Sequence, residues 1–112
     1  MLGFKGNSDK EISVAELKGR LDKGEEIFIL DVREQGEYEH CNLGGYLVPL
    51  RDLPTRINEL DPNREIVVMC HSGARSARAV QFLRQAGFAQ VKNLAGGIDR
   101  WAREIDPNMP RY

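Results

Sequence analysis

Two cysteines, Cys41 and Cys70, are too few in 112 residues to make a disulfide framework. A stapled secreted scaffold is therefore excluded, and a reducing cytoplasm is the default compartment. No apolar run approaches the ~18 residues that cross a bilayer. Met1 to Lys10 lacks the apolar stretch of a secretory signal. The net charge is −1, so no excess of one sign points to nucleic acid or a membrane surface as partner. Cys41, Cys70, His40 and His71 do not follow zinc-finger spacing, and neither a metal nor another cofactor is expected. Internal repeats and low-complexity tracts are missing too. What remains is an ordinary soluble composition, with room for one domain and one core.

The periodicities alternate between strand and helix. Ser13 and Glu16 form a capping-box pattern, with Ile12 and Leu17 at staple positions. This predicts a helix to about Lys23, ended by Gly24. Ile27 to Leu30 is apolar without alternation, the mark of a buried strand. A short helix is expected from Arg33 to His40, and a short strand over Tyr46 to Val48. Asp52 is placed to cap a helix from Leu53 to Leu60. Glu65 to Met69 reads as the next buried strand. Beyond it, Ala79, Val80, Phe82, Leu83 and Ala86 make one helical face, closed by Gly87. A last strand over Val91 to Leu94 and a short helix around Trp101 follow. Strands separated by helices imply a mostly parallel sheet covered on both faces. Residues 1–8 and 107–112 are expected to pack loosely; the tail carries Pro107 and Pro110 and has no period.

The segment that carries chemistry is Cys70-His71-Ser72-Gly73-Ala74-Arg75-Ser76. It stands between the strand ending at Met69 and the helix beyond. One sulfur is thus placed at the carboxyl end of a strand, facing the first turn of a helix. Unused backbone N–H groups and the positive end of the helix dipole favour an anion there. A thiol so held is expected to ionise more readily than a free one. Ligands of such sheets bind beyond the carboxyl ends of the strands.

Three blocks together resemble the rhodanese (sulfurtransferase) family. They are Leu30-Asp31-Val32-Arg33-Glu34 with Glu37-Tyr38, the Cys70 loop, and Gly87-Phe88, Val91, Leu94, Gly96-Gly97-Ile98 with Trp101. The likeness covers nearly all of the chain. It implies a single rhodanese domain over 1–112: an α/β fold with a five-stranded, mostly parallel sheet and helices on both faces. The family often has Gly-His-Ile after the Glu-Tyr pair, where this chain has Cys41-Asn42-Leu43-Gly44-Gly45-Tyr46. That variant, with Trp101-Ala102-Arg103-Glu104-Ile105-Asp106-Pro107, is most similar to rhodanese domains associated with E1-like adenylating enzymes of sulfur-carrier pathways.

The resemblance makes Cys70 the nucleophile and persulfide carrier, in two-step transfer from a donor such as thiosulfate to a thiophilic acceptor. His71, Ser72, Gly73, Ala74, Arg75 and Ser76 then line the substrate site, with Asp31, Arg33 and Arg78 in support. Arg75 and Arg78 are the cations nearest in sequence for a dianionic donor. The implied partners are a small anionic sulfur donor and a sulfur-carrier protein or E1-like enzyme.

Plainer readings stand beside these. Cys70 as a buried structural thiol, Arg75 and Arg78 as solvated helix residues, and His71 as an exposed loop residue are all compatible with the sequence. Asp31 and Arg33 read chiefly as structural, Cys41 as a small turn filler and Trp101 as core or docking. A non-catalytic docking or carrier module is one alternative function. A cysteine phosphatase or arsenate reductase is another, but those use Cys-x5-Arg. Here the spacing to Arg75 is Cys-x4-Arg, and Ser76 occupies the position the longer loop needs.

Overall fold

The computed structural model describes residues 9–112. The loose packing expected of residues 1–8 lies outside that range. Five strands form one sheet: β1 (Glu11–Ile12), β2 (Phe28–Asp31), β3 (Tyr46–Leu47), β4 (Ile66–Met69) and β5 (Val91–Leu94). Their order is β1-β5-β4-β2-β3, and every pairing is parallel. The α/β architecture read from the sequence is therefore present. β4 is the middle strand, so the residue after Met69 leaves from the centre of the sheet's carboxyl edge.

Five helices join them: α1 (Val14–Asp22), α2 (Gln35–His40), α3 (Leu53–Arg56), α4 (Ala74–Gln85) and α5 (Gly97–Glu104). The two faces are buried separately, because successive strand residues point opposite ways. Leu30, Ile66, Val68 and Cys70 join Ala79, Val80 and Leu83 of α4 in one cluster. Ile29, Val67 and Met69 join Val14 and Leu17 of α1 and Ile98 and Trp101 of α5 in the other. Each fully buried aliphatic side chain contributes about 1.5–3 kcal/mol, so losing either layer would expose one face of β4.

Local rules explain most boundaries. Ser13 Oγ accepts the Glu16 N–H at 3.0 Å, and Ile12 and Leu17 are buried in the same cluster. Ile12 also belongs to β1, a strand too short to announce itself in the sequence. Glu34 caps α2 in a reciprocal box with Glu37.

The helix expected over Leu53 to Leu60 is corrected. It is a 3₁₀ turn (Leu50–Asp52), α3, and a second 3₁₀ turn (Ile57–Glu59), and Asp52 makes no side-chain cap. Pro54, which has no N–H to donate, stands near its start, while Leu53, Ile57 and Leu60 still face one core cluster across the broken segment. On α4 the expected apolar face holds at Ala79, Val80, Phe82 and Leu83, while Ala86 is exposed at the helix end.

The tail meets specific contacts where loose packing was expected. Arg111 reaches Asp99 at 3.1 Å, and the Arg111 carbonyl lies 3.2 Å from His40 Nε2. Tyr112 bonds to Arg33 and Glu37.

Candidate active site

Cys70 sits where β4 ends, and its side chain enters the α4-side cluster with 1% exposure. Its sulfur is nonetheless met by polar groups. Gly73 N–H donates to Sγ at 3.1 Å and Ser76 N–H at 3.4 Å. Ser76 Oγ lies 3.3 Å away. Gly73 is the N-cap of α4 and has φ +111°, a conformation that favours glycine. That turn aims its N–H back at the sulfur. The N–H groups of Ala74 and Arg75, in the first turn of α4, are not consumed by the helix itself.

The loop's carbonyls are tied off from below. Ile98 N–H donates to Cys70 O and Asp99 N–H to His71 O, both at 2.9 Å. The start of α5 thus holds two oxygens away from the sulfur. Gly97 makes this approach possible: at φ +62°, a Cβ there would sit 2.6 Å from Cys70 O and closer still to His71 O.

The structure brings most of the sequence candidates to one place. Ser72 and Ala74 are exposed on the loop, Gly73 is half-buried and Ser76 fully buried. Arg75 does not stand free. It meets Glu37 of α2 through two bonds, at 2.7 and 2.8 Å. That guanidinium holds the Glu37 carboxyl at about 2, well below its ordinary range. Arg78 is exposed on α4, beyond the loop. His71 lies against Tyr112, with ring centroids 4.2 Å apart. Its Nε2 finds no hydrogen-bond partner, and the nearest carboxylate oxygen, of Asp99, is 3.9 Å away.

Asp31 and Arg33 are both fully buried and bonded to each other, at 2.7 Å for the shortest contact. Arg33 also donates to the carbonyls of Glu37 and Cys41 and to Tyr112 Oη. Its guanidinium stays charged because these bonds outweigh burial. The pair therefore secures α2 and the turn after it, and through Glu37 it reaches Arg75.

Three further residues belong to the site. Glu37 was quoted only as part of a motif. Asn93 on β5 bonds to Ser76 and Gly73; Lys92 beside it makes the strand half polar in sequence, so only the burial of Asn93 shows that it needs such partners. Tyr112 came from a tail without pattern. Cys41 packs in the cluster on the other sheet face from Cys70, and both thiols are free. Among the described residues, no group of three metal-type ligands gathers, and no helix is long and apolar enough to cross a membrane.

Fold and site together define a parallel α/β domain with a cysteine cradled by main-chain amides at the tip of its central strand. The chain belongs to the rhodanese-like domain family, whose model matches residues 13–104. It is 36% identical over 122 residues to the adenylyltransferase and sulfurtransferase MOCS3 of Arabidopsis thaliana, covering 94% of this chain and 26% of that protein. It is 37% identical over 94 residues to a sulfurtransferase of Allochromatium vinosum, covering 83% of this chain and 88% of that one. Among solved structures, SSP1007 of Staphylococcus saprophyticus superposes with a TM-score of 0.78 at 31% identity, covering 86% of this chain and 96% of the other. The chain thus spans about a quarter of the MOCS3 relative and most of the Allochromatium one.

Proposed function

We propose that this domain is a sulfurtransferase that moves a sulfane sulfur through a Cys70 persulfide. The observation carrying this reading is the pair of main-chain donors on Sγ, from Gly73 and Ser76. The Cys70 thiolate attacks the outer sulfur of thiosulfate. The S–S bond breaks and sulfite leaves with the electron pair. The new outer sulfur is anionic, and the Ala74 and Arg75 N–H groups at the start of α4 are the donors nearest in sequence to receive it. An acceptor nucleophile then takes that sulfur and returns Cys70 as thiolate. His71, Ser72, Gly73, Ala74, Arg75 and Ser76 line the donor site. Asp31 and Arg33 support it, and Arg78 adds a positive field at its edge.

The MOCS3 relative supports a sulfur-carrier protein or an adenylating enzyme as partner. A second form of this reading, in which the domain serves one dedicated protein partner, draws its support from the same relative. Two free cysteines on opposite sheet faces fit a reducing cytoplasm.

The test is intact mass after thiosulfate treatment. The expected gain is one sulfur, about 32 Da, removable by cyanide or a reductant and absent from Cys70→Ser. No gain in the wild-type protein overturns the reading. Faster discharge to a protein thiocarboxylate than to cyanide would identify the partner-dedicated form.

A further inference from the structure

The protons around Cys70 are organised from β5. Asn93 is 5% exposed, and its amide nitrogen donates to Gly73 O at 3.2 Å. This contact fixes which way the amide faces, because the flipped amide would set two carbonyl oxygens against each other. Asn93 Oδ1 therefore faces Ser76 and takes its hydroxyl proton at 2.5 Å. A serine hydroxyl has a single proton. With that proton on Asn93, Ser76 Oγ presents a lone pair to Cys70 Sγ, 3.3 Å away.

The sulfur thus meets two N–H donors and one acceptor. A neutral thiol satisfies all three, accepting twice and giving its S–H to Ser76. A thiolate has no proton to give and faces a lone pair. We infer that Asn93 is a positioning residue, acting through Ser76, that holds Cys70 protonated at rest, so that ionisation requires the Ser76 hydroxyl to turn from Asn93 to the sulfur. This rests on the reading of Cys70 as the reacting thiol. The Cys70 proton leaves to solvent as the hydroxyl turns. Once a persulfide forms, the charge is on the outer sulfur, and Ser76 can return to Asn93. The resting thiol is thereby kept in its less oxidisable form between turnovers.

The charged groups around the relay have partners of their own. Arg75 pairs with Glu37 and Arg33 with Asp31. His71 is near Asp99, itself within reach of Arg103 and Arg111. Beside Asn93, Lys10 just before β1, Glu11 of β1 and Arg84 of α4 line a groove. These groups are shared by all variants compared below, so they shift every pH profile alike.

The experiment is the pH profile of Cys70 alkylation by iodoacetamide, read by peptide mass from about pH 5 to about pH 10, which brackets thiol ionisation. Wild type, Asn93→Ala, Ser76→Ala and the double variant are compared. Asn93→Ala frees the Ser76 proton for the thiolate. Its midpoint is expected to fall by about one pH unit, or about tenfold faster alkylation on the acid limb. In the Ser76→Ala background the same change is expected to do nothing. A merely loosened loop would instead raise the midpoint, or shift it in both backgrounds; either result, or no shift at all, overturns the inference. Should Asn93→Ala fail to fold, Asn93→Leu, of similar shape and without an acceptor, replaces it in both backgrounds. A midpoint lowered only where Ser76 is present supports the inference; any other result overturns it. Alkylation needs no sulfur donor, so this outcome is separate from whether thiosulfate loads the protein.

Discussion

Arg75 of the loop and Glu37 of α2 meet through two parallel bonds, at 2.7 and 2.8 Å. The one cation inside the Cys70 loop is therefore anchored to a helix before any substrate arrives. Glu37 also accepts from Tyr112 Oη and the Glu34 N–H, so one carboxylate ties together the loop, α2 and the tail.

That anchoring gives a pH dependence with a definite sign. The Glu37 carboxyl is lowered from 4.5 to about 2, chiefly by Arg75. A lowered carboxyl contributes stability above its unfolded value and loses it as pH falls through the folded one. Wild type should therefore be more stable than Glu37→Gln at neutral pH, by about 1 kcal/mol once solvent screening is allowed for. The gap should close between about pH 4.5 and 2. Thermal unfolding at several pH values measures it, and a constant gap would contradict the assignment.

The Asp31–Arg33 pair predicts a large asymmetry. Arg33→Ala leaves a carboxylate buried without its partner, which costs about 3–5 kcal/mol. Replacing both residues with apolar side chains should cost clearly less than the sum of the single changes. Urea unfolding of the three variants gives the numbers. Additive losses would show that the two groups do not act as a unit.

Gly97→Ala tests the close approach of α5 to the loop. The added methyl meets Cys70 O and His71 O, in a backbone conformation that side chains rarely adopt. The strain costs about 1–3 kcal/mol, and its relief must move the loop carbonyls. Sulfur transfer should fall by at least about tenfold, because misplaced donors no longer meet the sulfur. Retained transfer with a normal fold would show that the carbonyl anchoring is dispensable.

Tyr112 separates ring from hydroxyl. Tyr112→Phe keeps the stack on His71 and loses the bonds to Arg33 and Glu37, a cost of about 1 kcal/mol. Tyr112→Ala loses the stack as well and should raise the loop's hydrogen exchange. Equal exchange in the two variants would mean the ring does nothing for His71.

The order of elements and the placement of Cys70 were legible because both are local. Capping at Ser13, the unbroken apolar runs of β2 and β4, and a glycine before α4 are decided by neighbours in the chain. Contacts across the sheet were not. Asn93 reaches Ser76 only because β5 pairs with β4, and nothing within ten residues of either one shows it. Arg75 looked available for an anion until α2 supplied Glu37. Tyr112 closes onto Arg33 and Glu37 from a segment whose prolines carry no period, so no pattern could report it. Asp52 misled for the opposite reason: a good capping residue and the helical spacing of Leu53, Ile57 and Leu60 fit one helix, yet the segment folds as α3 between two 3₁₀ turns.

The amides of Ile98 and Asp99 hold the carbonyls of Cys70 and His71. The electrical polarity of the sulfur's nest is therefore decided by a helix that contributes no side chain to it. A lesion that only unseats that helix would let oxygen atoms swing inward and turn an anion receptor into an anion repeller, with every loop residue still in place.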